Sequence, residues 1–203
     1  TFEPEMPVAL RELPADSSRV SAIESAARAY EAISLDQMES VALLNRVDTK
    51  FVLTYEQLAS VLGNLDRDYH MLTVRGQRLS HYRTLYFDTP VFDLFTAHAN
   101  GRAERYKVRS REYVDSNTSF LEVKHKTRKD RTIKDRIVTR QPVTRVTPEV
   151  SAWLHSVAPV DGDALEPKLW NTFRRMTLVS VRHGERVTID VDLAFFTHDR
   201  MAR

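Results

Sequence analysis

Apolar side chains along the chain recur at two spacings, one helical and one alternating. Residues 21–33 follow the helical spacing, and Ser21 with Glu24 matches a capping box that opens a helix there. Residues 35–44 predict a second short helix starting near Asp36. Residues 50–53 read as a short strand. Thr54 and Gln57 then form another capping box, ahead of Leu58, Val61 and Leu62, with Gly63 as the stop. Residues 82–88, aromatic and β-rich, predict a strand ended by Pro90. Residues 91–99 fit a helical turn before a tight turn at Asn100 and Gly101. Three strands follow at 103–113, 120–126 and 133–138, the first two joined through Asp115, Ser116 and Asn117. Thr147, Pro148 and Glu149 open a helix to residue 157, and a loop runs to 167. Strands at 170–181 and 187–196 close the pattern, with a turn at His183 and Gly184 between them. Residues 1–18, with Pro4, Pro7 and Pro14, predict an extended arm. The order implies an α+β fold, or a closed antiparallel β-barrel with helices packed outside. The domain division expected is an arm and helix over 1–34 and one domain over 35–203.

Alternation also sorts the charges. In an extended strand every second side chain shares a face. Arg105, Lys107, Arg109 and Arg111 therefore point one way, while Tyr106 and Val108 point the other. In the next strand Phe120, Glu122, Lys124 and Lys126 share a face, and in the third Lys134 and Arg136 do. Like charges this close repel, so the row calls for an anion or a facing carboxylate. A charged strand face is ordinarily the solvated side of a sheet. Solvated faces mix both signs, however, whereas these are lopsided and rich in arginine, whose fork suits phosphate oxygens. Glu122 inside the patch is either a metal ligand or an internal counter-ion. Arg186, Thr188, Asp190 and Asp192 share a later face, as do Phe173, Arg175 and Thr177. Two carboxylates at i and i+2 suit Mg²⁺ or Mn²⁺, and equally suit facing arginines.

Composition sharpens this picture at one point. Between residues 102 and 140 thirteen Lys or Arg stand against six Asp or Glu, a surplus of +7 in a chain whose net charge is only +2. The remainder is thus acidic at −5, and the basic segment calls for an anionic partner. At 203 residues and 42% apolar, the chain suits an ordinary globular domain. It has no cysteine, which excludes disulfides and thiolate chemistry. A phosphate-binding GxxxxGK[ST] loop, HExxH and GxSxG are absent as well. Any reaction would work through charge. No signal-peptide pattern or apolar run of bilayer length occurs, so a cytoplasmic location is expected.

Four motifs together resemble a known family. They are Arg46-Val47-Asp48-Thr49-Lys50-Phe51-Val52-Leu53, Leu85-Tyr86-Phe87-Asp88-Thr89, Arg105-Tyr106-Lys107-Val108-Arg109-Ser110-Arg111 and Leu121-Glu122-Val123-Lys124-His125-Lys126. With Phe173-Arg174-Arg175 and Arg186-Val187-Thr188-Ile189-Asp190, they resemble the catalytic domain of the vacuolar transporter chaperone (VTC) family, a branch of the triphosphate tunnel metalloenzymes. The resemblance covers roughly residues 35–196. It implies an antiparallel tunnel with a basic inner wall that binds the triphosphate of ATP with Mn²⁺ or Mg²⁺. The terminal phosphoryl group would pass to a growing polyphosphate chain.

By motif, Arg105, Lys107, Arg109 and Lys124 would be the catalytic set. Lys50, Lys126, Lys134, Arg136 and Arg175 would bind phosphate too, with Arg111 nearer the tunnel mouth. Glu122, Asp190 and Asp192 are the metal candidates. The family continues to a strand with a metal-binding Glu and a Ser-Lys segment that closes the tunnel, and neither motif precedes Arg203. A triphosphatase of the same fold and a non-catalytic polyphosphate or inositol-phosphate module stay open as alternatives. A nucleic-acid partner is not expected, because Tyr106 lies opposite the arginines and Tyr113 and Phe120 sit at strand ends.

Overall fold

The computed structural model describes residues 17–40, 48–65, 68–129 and 131–197. The fold is α+β with a mostly antiparallel sheet and a few helices, the class expected. The chain divides into two compact units. Within the described residues, one is built on Tyr82–Phe173 together with residues 193–197; the other is built on residues up to His81 and on Arg174–Asp192.

The first unit carries β3 (Ser80–Asp88) from Tyr82 on, β4 (Arg105–Tyr113), β5 (Thr118–Lys126) and β6 (Thr132–Thr139), with helices α4 (Asp93–Ala99) and α5 (Pro148–Val157). Each strand pairs antiparallel with the next in sequence. The β4–β5 connection is a single 3₁₀ turn, Val114–Ser116, closed by Asn117 at φ 50°. Leu85, Phe87, Val108, Leu121 and Val123 are buried together with Leu154 of α5. They are the apolar halves of the alternation, so the opposite halves are left to face outward from this core. Pro148 and the Thr147 cap set the start of α5, as expected.

The second unit packs α1 (Ser17–Arg28), α2 (Leu35–Ser40) and α3 (Tyr55–Asn64) with β1 (Ala32–Ile33) and β2 (Tyr69–Leu72). It also holds parts of β7 (Glu166–Ser180) and β8 (Glu185–Thr197), both of which change unit along their length. β1 runs parallel to β2, and β2 runs antiparallel to β7 at residues 178–180. Ile23, Ala27, Leu58, Leu62, Met71, Met176 and Leu178 form its core.

Several expectations change here. The first helix starts at Ser17 and ends at Arg28, so Ser21 lies inside it and caps nothing. Tyr30 begins the departure, because its ring is buried and its hydroxyl donates to the Leu62 carbonyl. Ile33 consequently lies in β1. The next helix starts at Leu35, close to the expected Asp36, and its expected end at residues 41–44 lies outside the described residues. Ser34 precedes it, its Oγ accepting from Gln37 N while Gln37 Oε1 accepts from Ser34 N. Residues 50–53 form no strand. Phe51 and Val52 are 80% and 99% exposed, and β-propensity without a pairing strand does not make one. The Thr54–Gln57 capping box does form, but α3 runs through Gly63 to Asn64. The predicted arm falls outside the described residues, except for Ser17 and Ser18 in α1. No helix among the described residues is long and apolar enough to cross a membrane.

Candidate functional site: a basic sheet face

Register brings the cations of three strands together. Lys107 pairs with Lys124, and Lys124 with Lys134. Arg109 pairs with Glu122, and Glu122 with Arg136. Arg105 lies opposite Lys126, and Arg111 opposite Phe120. Directly opposite residues share a face, so four cross-strand rows merge into one surface. Rows two residues apart are about 6.8 Å from one another, which gives the surface a length of roughly 20 Å. On β4, β5 and β6 this face has a single carboxylate, Glu122.

Glu122 is 1% exposed. Its Oε2 accepts from Arg109 Nε at 2.7 Å and lies 2.6 Å from Arg109 Nη2. Its Oε1 is 2.5 Å from Lys134 Nζ. Burial alone would push its pKa up, but Arg109 and Lys134 outweigh that and hold it below the ordinary carboxylate value. Glu122 is therefore an internal counter-ion that ties β4 to β6 through β5.

Arg111 has a different environment. It is 8% exposed, its Nε donates to Thr84 Oγ1 at 3.1 Å, and its guanidinium lies 5.5 and 5.6 Å from the Tyr82 and Phe173 rings. Burial, followed by the nearby Arg109, lowers its pKa. Tyr82 stacks on Phe173 at 5.0 Å and meets Tyr113 at 4.9 Å, and Tyr113 meets Phe120 at 5.6 Å. Arg136 sits 4.6 Å over Phe120. Rings thus border the basic rows at one end and help hold two of their arginines in place.

Helix α4 borders the other end. Asp88, the last residue of β3, accepts from the amides of Thr89, Leu94 and Phe95 at 2.8, 2.9 and 2.8 Å. This fixes α4, whose His98 then meets two cations. Arg105 Nε donates to His98 Nδ1 at 3.2 Å, and Lys107 Nζ lies 3.0 Å from His98 Nε2. Sequence reasoning missed His98. The available signal was a histidine in the helical turn just before Asn100 and Gly101, where the chain reverses toward the basic strand.

The remaining candidates lie in the second unit. Arg175 makes a bidentate pair with Asp190, at 2.5 and 2.7 Å. Arg174 lies 3.1 Å from Asp192, which also accepts from the Tyr55 hydroxyl at 3.1 Å. Arg174 and Arg175 are neighbours in an extended strand and point opposite ways, so Asp190 and Asp192 do not share a face as expected. Asp192 has φ 54°, a left-handed residue that interrupts the alternation of β8. Lys50 is exposed and belongs to neither strand nor helix. Arg46 and Val47, from the same motif, lie outside the described residues. Among the described residues no three acids or histidines cluster so as to hold a metal.

A family model described as the VTC domain matches residues 45–203. No curated protein sequence matches the chain. Among solved structures, a Vibrio parahaemolyticus protein provisionally assigned as an adenylate cyclase aligns with a TM-score of 0.42 at 14% identity. That alignment covers 72% of this chain and 70% of the other. A Hippeastrum protein, provisionally an adenylyl cyclase and described as having a dominant triphosphatase activity, aligns with a TM-score of 0.33 at 16% identity. It covers 56% of this chain and 60% of that one.

Proposed function

The chain belongs to the VTC domain family, and from that premise we propose that its basic sheet face binds the triphosphate of ATP and the end of a polyphosphate chain, moving the γ-phosphoryl group between them. The observation that supports this most is the register that places Lys107, Lys124 and Lys134 in one row and Arg109, Glu122 and Arg136 in the next. In the transfer, a terminal oxygen of polyphosphate forms a bond to the γ-phosphorus. The bond from that phosphorus to the β-bridging oxygen breaks, and ADP leaves with the electron pair. The acceptor oxygen is already ionised near neutral pH, so no general base is required. Two polyanions must nevertheless approach each other. A pair of unit charges about 4 Å apart interacts by about 4 kcal/mol at an effective dielectric of about 20. Arg105, Lys107, Arg109 and Lys124 would offset that repulsion where charge builds up, with Arg111, Lys126, Lys134 and Arg136 extending the grip.

Enzymes of this type generally use a divalent metal. When bound, Mn²⁺ or Mg²⁺ would neutralise phosphoryl oxygens and orient them. The described residues do not fit such an ion as they stand. Both Glu122 oxygens face cations, and Asp190 and Asp192 are each held by an arginine on opposite faces. That observation favours a second reading, a polyphosphate-binding module without turnover. Incubation with ATP and Mn²⁺, resolved on a gel, tests the first reading: a polyphosphate ladder supports it, and free phosphate without a ladder points to a triphosphatase. Calorimetry with tripolyphosphate tests both. Tight binding without turnover leaves the module, and absence of binding removes every phosphate reading.

A further inference from the structure

One side of α4 runs from the basic rows out past the residues assigned to phosphate. Phe95 and His98, three residues apart, share one side of the helix, and Phe92 is the N-cap residue at its start. Phe95 is 63% exposed and Phe92 46%. At the far end of that side, His98 meets Arg105 and Lys107, the edge of the basic rows. An exposed ring therefore lies one helical turn from His98, the residue that meets the cations proposed to hold phosphate. Phe92 has φ 61° and ψ 42°, a left-handed conformation that is unfavourable for a bulky side chain. Its ring is already met by the Lys168 ammonium at 4.5 Å. Phe95 is the more open platform. The aromatics at the opposite end of the rows are no substitute, since Tyr82, Phe173, Tyr113 and Phe120 stack on one another and carry Arg111 and Arg136.

We propose that Phe95 is a stacking shelf for the base of a nucleoside triphosphate whose phosphates lie along the Arg105 and Lys107 end of the basic rows. This rests on the phosphate-binding reading. The chemistry matches, because every nucleobase has a face that stacks on an aromatic ring whatever its sequence of polar groups. A bare polyphosphate has no such face. Phe95 would therefore distinguish a nucleotide donor from a polyphosphate acceptor carrying the same kind of charge. His98, held against both cations, keeps the shelf and the phosphate grip in a constant relation.

Calorimetry on the full chain at one salt concentration, with ATP and with tripolyphosphate, tests this. Phe95→Ala is expected to weaken ATP about tenfold, within the range of base–aromatic stacking, and to leave tripolyphosphate within about twofold. Phe95→Tyr keeps a ring and is expected to retain ATP affinity. Since Phe95 is exposed, its removal leaves the core intact, and a melting curve checks this. Equal losses for both ligands, or no loss for either, would overturn the shelf. Lys107→Ala separates the two ideas. If it weakens both ligands while Phe95→Ala changes nothing, the shelf is wrong and the phosphate grip stands. If it alters neither ligand, or neither binds the unaltered protein, the phosphate reading fails and the shelf with it.

Discussion

The basic face of β4, β5 and β6 in the first unit and the stretch of residues 174–182 in the second treat their cations in opposite ways. In the second, Arg174, Arg175 and Arg182 each face an aspartate: Asp192, Asp190 and Asp68. In the first, Arg105, Lys107, Arg109, Arg111, Lys124, Lys126, Lys134 and Arg136 share a face with Glu122 alone on their three strands. Matched pairs are what a protein uses to tie strands together. A surplus of one sign is unfavourable to folding and makes sense where an anion completes it. The difference shows that an arginine in a strand is informative only together with what the register places opposite it.

Glu122→Gln should give the largest effect on this contrast. It leaves Arg109 and Lys134 beside a neutral buried group, and stability should fall by roughly 3 kcal/mol, at the low end for broken buried pairs because Lys134 is partly exposed. Tripolyphosphate should restore more of the lost melting temperature in this variant than it adds to the unaltered protein. An unchanged urea midpoint would show that the carboxylate is not the keystone of the rows.

Acid provides the same test without a mutation. The Glu122 carboxyl is held below its ordinary 4.5, so its contribution is complete above that pH and fades as pH falls through the folded value. Melting temperatures taken from pH 6 downward should drop more steeply below about 4.5 in the unaltered protein than in Glu122→Gln.

Binding sharpens the comparison next. Lys107→Ala should weaken tripolyphosphate about tenfold, as expected for one charge-assisted contact. Arg175→Ala should weaken it less, because Asp190 already engages that guanidinium through two hydrogen bonds. Equal losses would mean that Arg175 grips phosphate in spite of its partner. The smallest effect expected is on stability: Arg175→Ala should cost at most about 1 kcal/mol, since the pair is partly solvated. A thermal melt reads this directly.

The basic face was legible because period-two alternation survives intact through β4, β5 and β6, and charge marked which half faced outward. The register was not legible in detail, yet strands of eight or nine residues joined by short turns left little freedom to slip. What could not be read depended on distant partners. β1 and β2 have two and four residues, too few for a pattern, and exist through their pairing with each other and with β7. Residues 50–53 carried the right propensities but lack a neighbour. The left-handed Asp192 turned a same-face pair of acids into two separate ion pairs, and nothing in its local sequence signals that change. His98 was hidden because its importance comes from the chain reversal at Gly101, φ 64°, rather than from any motif.

Asp88 gives α4 an unusual anchorage. A seven-residue helix frays readily when alone. Here the Leu94 and Phe95 amides are bonded to a carboxylate that is itself 6% exposed at the end of β3. Those two amide hydrogens can trade with deuterium only when the strand end releases the carboxylate. They should therefore exchange on the slow schedule of β3 rather than the fast one of a short helix, and the helix should come and go with the strand as one cooperative piece.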